Sequence, residues 1–345
     1  MIDFRYHLVS IVAVFLALAI GIVVGATALK PKVEEGLDNA SRHEQHQIDQ
    51  NRTTITNLKN QISADNALAE ASAPRLLAGL LQGQRVVLVT APGADGSTIS
   101  GITKDLGLAG AKVAGQVQLQ PSFFDTSATT ENSLDELATK VAPTGVTPGY
   151  PSSQAYTNAQ IAGQQEAAQV LAPALVVNKD ATDLPATETG QILDGFAQQN
   201  FVQFTPSSSA VAPPQATLAV VVIPGNPSAS DANPENLALL SLAQELALSG
   251  RGVVVAGSQT GSGPGSAIDE LTSGNTGIKV SSVDDADTPG GEIIVAEALS
   301  EAMSGQTPKP YGADTQLAPN PAPTPSSTPS PTTTQTTSPV HKTRS

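Results

Sequence analysis

RVVLVTAPGADGSTISGITKDLGLAGAKVAGQVQL, residues 85–119, decides the fold class of this chain of 345 residues. The apolar run 85–90 has the length of a buried strand, and an Ala-Pro-Gly turn follows it. A helical pattern comes next, with Ser97 or Thr98 as its expected N-cap, and a glycine separates it from a second apolar run at 111–119. The stretch therefore predicts a βαβ unit.

The same alternation of apolar runs and helical patterns recurs later in the chain. Continuous apolar strands separated by helices are typical of a mostly parallel sheet covered by helices on both faces. We therefore predict an α/β fold class, with an acidic α/β domain over residues 75–304. The further strands are expected at 201–204, 217–223, 252–256 and 278–283, and the helices near 131–141, 158–171, 186–198, 233–250 and 289–303.

An apolar segment without charge occupies residues 8–29 near the N-terminus. As a helix it would be about 33 Å long, which matches a membrane hydrocarbon core of about 30 Å. We predict a transmembrane anchor over residues 1–32. A secretory signal is the alternative, because Ala26-Thr27-Ala28 resembles a cleavage site, although the apolar part of a signal is shorter. The charges on either side of the segment do not decide its orientation.

Small residues recur every four positions along this segment and therefore share one face of the predicted helix. Such a face lets two membrane helices approach closely, so we predict that the helix self-associates. The alternative is that glycine and alanine are common in membrane helices anyway. The residues concerned are Ala13, Ala17, Gly21 and Gly25.

Residues 33–74 form a polar stretch in which isoleucines recur every seven positions. This spacing predicts a coiled-coil stalk that continues the membrane helix, and a single solvated helix is the alternative. The predicted seam consists of Ile48, Ile55, Leu58 and Ile62.

The chain lacks the usual groups for nucleophilic catalysis within the α/β domain. It contains no cysteine, and its four histidines, His7, His43, His46 and His341, all lie outside residues 75–304. This excludes Ser-His-Asp and Cys-His catalysis there. The glycine-rich loop 91–96 lacks phosphate-binding spacing, and a tight turn is the simpler interpretation. We predict that the protein is not an enzyme and that it has no evident cofactor.

Two sets of side chains are weak candidates for metal ligands. His43 and His46 lie three residues apart on the predicted stalk and could hold a divalent transition metal, with solvated histidines as the alternative. Asp284, Asp285 and Asp287 could hold a hard cation. Their alternative role is to stabilise the N-terminus of the helix that begins after Thr288, itself a good N-cap.

The net charge of the chain argues against a nucleic-acid partner. Acidic residues outnumber basic ones by 31 to 17, which gives a net charge of −14. Because such a surface repels phosphate backbones, we expect no nucleic-acid partner.

Residues 305–345 are rich in proline, threonine and serine, and we predict that they form a disordered tail.

Three stretches of the chain carry a family resemblance: MIDFRYHLVSIVAVFLALAIGIVVG at 1–25, RVVLVTAPGAD at 85–95 and VDDADTPGG at 283–291. In this order they resemble the actinobacterial copper transporter family typified by mycobacterial copper transport protein B (MctB). The resemblance implies an envelope protein linked to copper efflux or tolerance and described as a channel-like component. It also implies a second role, because corynebacterial relatives look like membrane partners in the regulation of cell-wall hydrolases.

These observations leave three hypotheses for function. The first is a copper-handling membrane protein, single-pass, with the α/β domain on the extracytoplasmic side. Copper(I) prefers thiolate and thioether ligands, and the chain has only two methionines and no cysteine. A single span encloses no pore, so we expect a homo-oligomer formed through the membrane helix and the stalk. The second is a non-catalytic scaffold for an envelope partner. The third is a hydrolase or nucleotide enzyme, and only the alternation of strands and helices supports it.

Overall fold

The computed structural model describes residues 4–149, 159–177, 183–206, 215–225, 232–273 and 276–312, with backbone only at 4–5, 26–41, 159 and 232–233. The chain forms two compact units, and the division falls after Leu68. The first unit contains most of one long helix. The second contains the α/β fold.

Helix α1 spans Phe4–Leu76 as one continuous element. Its segment Tyr6–Gly25 has a mean hydropathy of 2.9, and none of it is buried. By length and composition this segment is able to cross a membrane, as predicted. Residues 33–74 are helical, as expected for the predicted stalk. The coiled-coil stalk itself stays a prediction.

Seven strands form one sheet in the order β3-β2-β1-β4-β5-β6-β7. All neighbouring strands are parallel except β3, which is antiparallel to β2. This confirms the predicted mostly parallel sheet. The strands are β1 Arg85–Thr90, β2 Lys112–Leu119, β3 Val202–Pro206, β4 Leu218–Val222, β5 Gly252–Ala256, β6 Ser281–Val283 and β7 Pro310–Tyr311.

Helices cover both faces of the sheet, also as predicted. One face packs against α2, α8 and the end of α1, and the other packs against α3 to α7. The helices are α2 Gly96–Leu108, α3 Ala128–Val141, α4 Ala162–Leu175, α5 Ala186–Gln198, α6 Ala232–Ser249, α7 Ala267–Ser273 and α8 Pro289–Met303.

Strand β4 shows why the central strands are continuously apolar. Ala219 and Val221 point to the core on the α6 side, whereas Leu218, Val220 and Val222 point to the core on the α8 side. Successive side chains of a strand alternate between faces, and here both faces are buried. No position in the strand is left for a polar residue.

Most predicted elements are confirmed, with differences at their ends. The helix expected at 158–171 begins at Ala162 and continues through Pro173 to Leu175. Helix α7, of seven residues, was not predicted. Its sequence is too short for a clear helical period, and its first turn is held by tertiary contacts such as buried Ile268.

The predicted N-cap of α2 was wrong. The cap is Asp95, not Ser97 or Thr98, and the helix begins at Gly96. The Asp95 carboxylate accepts a hydrogen bond from the Ser97 backbone nitrogen at 3.2 Å and one from the Ser97 hydroxyl at 2.5 Å. Ionised aspartate is as good a cap as serine and adds a favourable interaction with the helix dipole.

The α/β unit begins earlier than the predicted boundary at residue 75. Ala73 is 2% exposed, and Leu77 and Leu81 are completely buried in the core beneath α2 and α8. Ala73 lies in the last turn of α1, and Leu77 and Leu81 lie in the turns that directly follow it. The last turns of α1 therefore belong to the core of the α/β unit.

The fold also extends past the predicted boundary at residue 304. Strand β7 pairs with β6, and Tyr311 is 1% exposed. Its hydroxyl donates a hydrogen bond to Glu301, whose Oε2 lies 3.0 Å from Lys309 Nζ. These contacts hold residues 305–312 on the sheet. The rest of the predicted disordered tail, residues 313–345, lies outside the described residues.

Replacing Leu77 with alanine tests the burial of the end of α1. We expect the free energy of unfolding to fall by about 2–4 kcal/mol, because a buried leucine side chain is lost and a cavity remains. Chemical denaturation of the full-length protein in detergent measures this change. The matched control is Leu68→Ala, since Leu68 is 68% exposed on α1 and should change stability by less than about 0.5 kcal/mol. Equal effects of the two substitutions would contradict the packing.

Candidate functional site

A small crevice lies at the carboxyl edge of the sheet, between β1 and β4. The chain leaves β1 toward β2 on one side, whereas β4 begins the other half of the sheet. Ligands of open α/β sheets bind at such a reversal. The crevice has a volume of about 120 Å³. Its lining residues are Ala91, Pro92, Pro121, Phe124, Pro224, Glu235, Asn236 and Leu239.

The loop after β1 is a tight turn, as predicted. The Ala94 nitrogen donates to the Ala91 carbonyl at 3.2 Å, and Gly93 has φ +80°. Proline followed by glycine with positive φ is the pattern of a type II turn. The Asp95 carboxylate occupies the N-terminus of α2, where a phosphate would otherwise bind, and hydrogen bonds from Ser97 lower its pKa. The loop is therefore unsuited to phosphate.

The crevice walls are mainly apolar, with two polar groups beside them. Asn236 is engaged, because its Nδ2 donates to the Gly265 carbonyl at 2.7 Å. Glu235 lies in the first turn of α6, where a carboxylate is favoured by the helix dipole. The crevice can accept an apolar group next to a carboxylate. Its lining contains neither a nucleophile nor a histidine.

A larger, acidic cavity of about 480 Å³ lies where the N-terminal parts of α3 and α4 meet. Three carboxylates line it, and they come from two helices. They approach one another because α3 and α4 pack side by side, which brings position 131 next to position 163. The lining residues are Thr126, Ala128, Glu131, Asn132, Asp135, Gln160, Ala162, Gly163 and Glu166.

Two carboxylates of this acidic cavity, Glu131 and Glu166, bind protons more tightly than free carboxylates do. Glu131 Oε2 accepts a hydrogen bond from the Gly163 nitrogen at 2.7 Å, while burial raises its pKa. Burial also raises the pKa of Glu166 to about 7, and the hydrogen-bonded, negatively charged Asp135 adds to the shift. Two carboxyl groups hydrogen-bond only when one of them is protonated. The cavity therefore holds a proton near neutral pH.

The aspartates after β6 lie just before α8, whose predicted N-cap is confirmed. Thr288 is the N-cap, and its Oγ1 accepts from the Gly291 nitrogen at 3.0 Å. Burial, followed by the charge of Asp284, raises the pKa of Asp285 to about 6, and Asp287 is exposed. In the part of the chain that the structure describes, no group of three or more histidine, aspartate or glutamate side chains is arranged to hold a metal ion.

The predicted histidine pair lies on α1. His43 and His46 are exposed, and the His43 Nε2 lies 3.1 Å from Gln47 Nε2. Three-residue spacing places both rings on neighbouring positions of the helix surface. The described residues of this single chain supply no third ligand to them.

The two predicted association faces also lie on α1. The stripe Ala13, Ala17, Gly21 and Gly25 lies on the apolar segment, and the Cβ positions of Gly21 and Gly25 have no other heavy atom within 4 Å. A partner helix therefore has room to approach these glycines. The seam residues Ile48, Ile55, Leu58 and Ile62 are 44%, 51%, 52% and 58% exposed.

The acidic cavity was missed at the level of sequence. Glu131 and Asp135 are four residues apart, which placed them on one face of a predicted helix. Glu166 joins them only through tertiary packing. A buried carboxylate at Asp105 was also missed, although it interrupts the apolar face of α2 between Ile102 and Leu106.

Replacing Glu166 with glutamine tests the protonation of the acidic cavity. Because the pKa of Glu166 in the fold exceeds its value in the unfolded chain, the fold binds the extra proton between about pH 4.5 and pH 7. The contribution of this site to the free energy of unfolding is therefore fully present below pH 4.5 and is lost as the pH rises through 7. We expect Glu166→Gln to flatten this decline and to stabilise the protein at pH 8 by about 1 kcal/mol, a figure reduced for solvent screening.

Thermal unfolding of the full-length protein at pH 5, 6, 7 and 8 measures this difference. The matched control is Glu136→Gln on the neighbouring helix α3, because Glu136 is exposed. Identical pH profiles for wild type and Glu166→Gln would contradict the proton-bound cavity.

Comparison with known proteins identifies the family of the chain. The family model described as "Copper transport outer membrane protein, MctB" matches residues 1–320. Proteins named copper transporter MctB from Mycobacterium tuberculosis and Mycobacterium bovis are 28% identical to this chain over 316 residues, covering 90% of it and 96% of each relative. The corresponding protein of Mycobacterium leprae is 27% identical over the same coverage. The resemblance predicted from the three sequence stretches is thereby confirmed, and the chain belongs to the MctB copper transport family.

Proposed function

We propose that this protein is a non-catalytic, membrane-anchored oligomer of the cell envelope that takes part in copper efflux or tolerance. The observation that carries the proposal is the family match over residues 1–320, which includes the apolar segment of α1 and all seven strands of the sheet. The copper ion is the cargo in this proposal. The α/β unit lies on the extracytoplasmic side.

The described part of one chain offers copper no complete set of ligands. It contains no cluster of three histidine or carboxylate side chains suited to a metal, and Met303 is a single, partly buried thioether. Copper(I) binds thiolates and thioethers, and copper(II) binds imidazole. Of the residue types present, imidazole is therefore the appropriate ligand, and a second chain has to complete the site.

Pairing of α1 would supply such a second set of ligands. His43 and His46 are exposed a short distance before the seam that begins at Ile48. If the seams of two chains pack together, four imidazoles come to one level of a two-stranded stalk. A four-nitrogen site satisfies copper(II) far better than two ligands on one chain. Copper contact and oligomerisation are thus linked in this proposal.

The second candidate function is a scaffold that recruits or regulates an envelope partner, such as a cell-wall hydrolase system. The observation that favours it is the crevice at the reversal of the sheet, where a small apolar pocket lies beside Glu235. A pocket of this size accepts one side chain of a partner rather than a whole substrate. In this alternative, α1 has the same anchoring role and copper has none.

Cysteine crosslinking tests the pairing of the stalk. We expect Ile55→Cys in membranes to form disulfide-linked dimers in high yield on mild oxidation, because residue 55 lies on the seam. The matched control is Thr53→Cys, which lies on the opposite side of the helix and should crosslink poorly. The natural chain has no cysteine, so neither variant has a competing thiol. Monomers alone, or equal yields for both variants, would contradict a paired stalk.

The same two variants test the orientation. A membrane-impermeant maleimide should label the cysteine of Thr53→Cys in intact cells as fully as in permeabilised cells. Labelling only after permeabilisation would place the stalk in the cytoplasm.

Copper binding by the histidine pair is tested by titration of the full-length protein in detergent with copper(II). We expect His43→Ala with His46→Ala to weaken binding by at least about tenfold, since a ligand pair is lost from each chain. His7→Ala is the control. In cells, deletion of the gene should change copper accumulation and tolerance, and the wild-type gene should restore both. Unchanged copper phenotypes together with an intact crosslinked dimer would favour the scaffold function.

A further inference from the structure

A buried carboxylate lies on the inner face of α2. Asp105 is 2% exposed, and its Oδ1 is buried without a hydrogen-bond partner among the described residues. The nearest cation is Lys104, whose Nζ lies 3.9 Å from this oxygen and whose side chain is 57% exposed. A distance of 3.9 Å to a solvated ammonium group is too long for a hydrogen bond and compensates the burial only in part.

A second carboxylate, Glu292 of α8, lies against α2 one helical turn before Asp105. Its carboxyl group lies directly against the backbone of α2 at Gly101, where a Cβ atom would be only 1.6 Å from Glu292 Oε1. Glycine at this position is what allows the carboxyl group to fit between the helices. Burial raises the pKa of Glu292 to about 7, and the charge of Asp105 is the next cause.

A third carboxylate completes the cluster from the end of α1. Glu70 is exposed, and its charge acts on both Asp105 and Glu292. The charged groups that face the pair are therefore Lys104 from α2 and Glu70 from α1. With every group ionised, three negative charges would be opposed by a single positive one.

The turns of α1 that carry Glu70 are packed on the same two helices. Ala73 and Leu77 are buried in the core there. Just beyond the helix end, the Leu81 nitrogen donates to the Ala109 carbonyl at 2.9 Å, and the Leu80 carbonyl lies 3.5 Å from the Ser300 hydroxyl. Repulsion between Glu70, the buried Asp105 and the half-buried Glu292 therefore acts directly against this packing.

We propose that Glu292, beside the buried Asp105 and with Glu70 at the rim of the site, holds a bound proton, and that release of this proton loosens the last turns of α1 from α2 and α8. The ligand is a hydrogen ion, which Glu292 holds against α2, one helical turn from the buried Asp105 Oδ1 that has no hydrogen-bond partner among the described residues. The cluster thus links the pH of the surroundings to the helix that carries the apolar segment. The proposal is independent of any role in copper handling.

The direction of the effect follows from proton linkage. A carboxyl whose pKa is higher in the packed state than in the open state binds its proton more tightly when packed. The contribution of this site to packing is therefore full below about pH 4.5 and is lost as the pH rises through 7. Mild acid should tighten the end of α1, and mild alkali should loosen it.

Hydrogen exchange of the full-length protein in detergent tests the proposal. Exchange of amides in residues 69–81 is compared at pH 6 and pH 8, after correction for the pH dependence of intrinsic chemical exchange. In the wild type we expect the corrected exchange rate to rise by up to about tenfold between the two pH values, one decade per unit of altered proton affinity. In Glu292→Gln, which mimics the protonated acid, the corrected rates at the two pH values should agree.

Two further variants supply a control and a second test of the same site. Glu136→Gln, an exposed site on α3, should retain the wild-type rise. Asp105→Asn should move the midpoint of the rise to lower pH, because it removes the charge that opposes ionisation of Glu292, and it serves if Glu292→Gln fails to fold. Corrected rates that are independent of pH in the wild type would overturn the proposal. So would a rise that persists unchanged in both Glu292→Gln and Asp105→Asn.

Discussion

Burial of the end of α1 is the interaction on which the rest of the second unit depends. Helices α2 and α8 cover one face of the sheet, and the gap beside them is filled by Ala73, Leu77 and Leu81. Without these side chains, apolar residues of both helices would face water. The helix that carries the apolar segment therefore also contributes its last turn to the α/β core.

Carboxylates are clustered in two parts of the second unit. The chain carries a net charge of −14, and several of its carboxylates are half-buried beside other carboxylates rather than spread over the surface. Such groups retain protons near neutral pH because ionisation would bring like charges together in a partly dry environment. Glu166 lies in the acidic cavity of α3 and α4, whereas Glu292 lies against the end of α1. A change of pH near neutrality therefore alters the protonation of two separate parts of the fold.

The sequence was sufficient to predict what depends on local pattern. The limits of β5 and α8, the turn after β1 and the Thr288 cap follow from apolar runs, proline, glycine and capping residues that act within a few positions. The sequence was insufficient where contacts between distant parts of the chain determine the structure. Strand β7 has two residues and is held by Tyr311 and Glu301, which no periodicity reveals. The carboxylate clusters join helices that are distant in the chain, so only the interruption of the apolar face of α2 by Asp105 hinted at one of them.

The chain belongs to the MctB family, and the described residues contain one candidate membrane helix, the apolar segment of α1. The central claim of this account is that the last turns of α1 are part of the α/β core. Unfolding of two truncated chains, one that begins at Ala69 and one that begins at Arg85, measures this most directly. The account predicts that the chain from Ala69 unfolds in one cooperative transition, whereas the chain from Arg85 melts at a much lower temperature or does not fold. Equal melting temperatures for the two chains would contradict it.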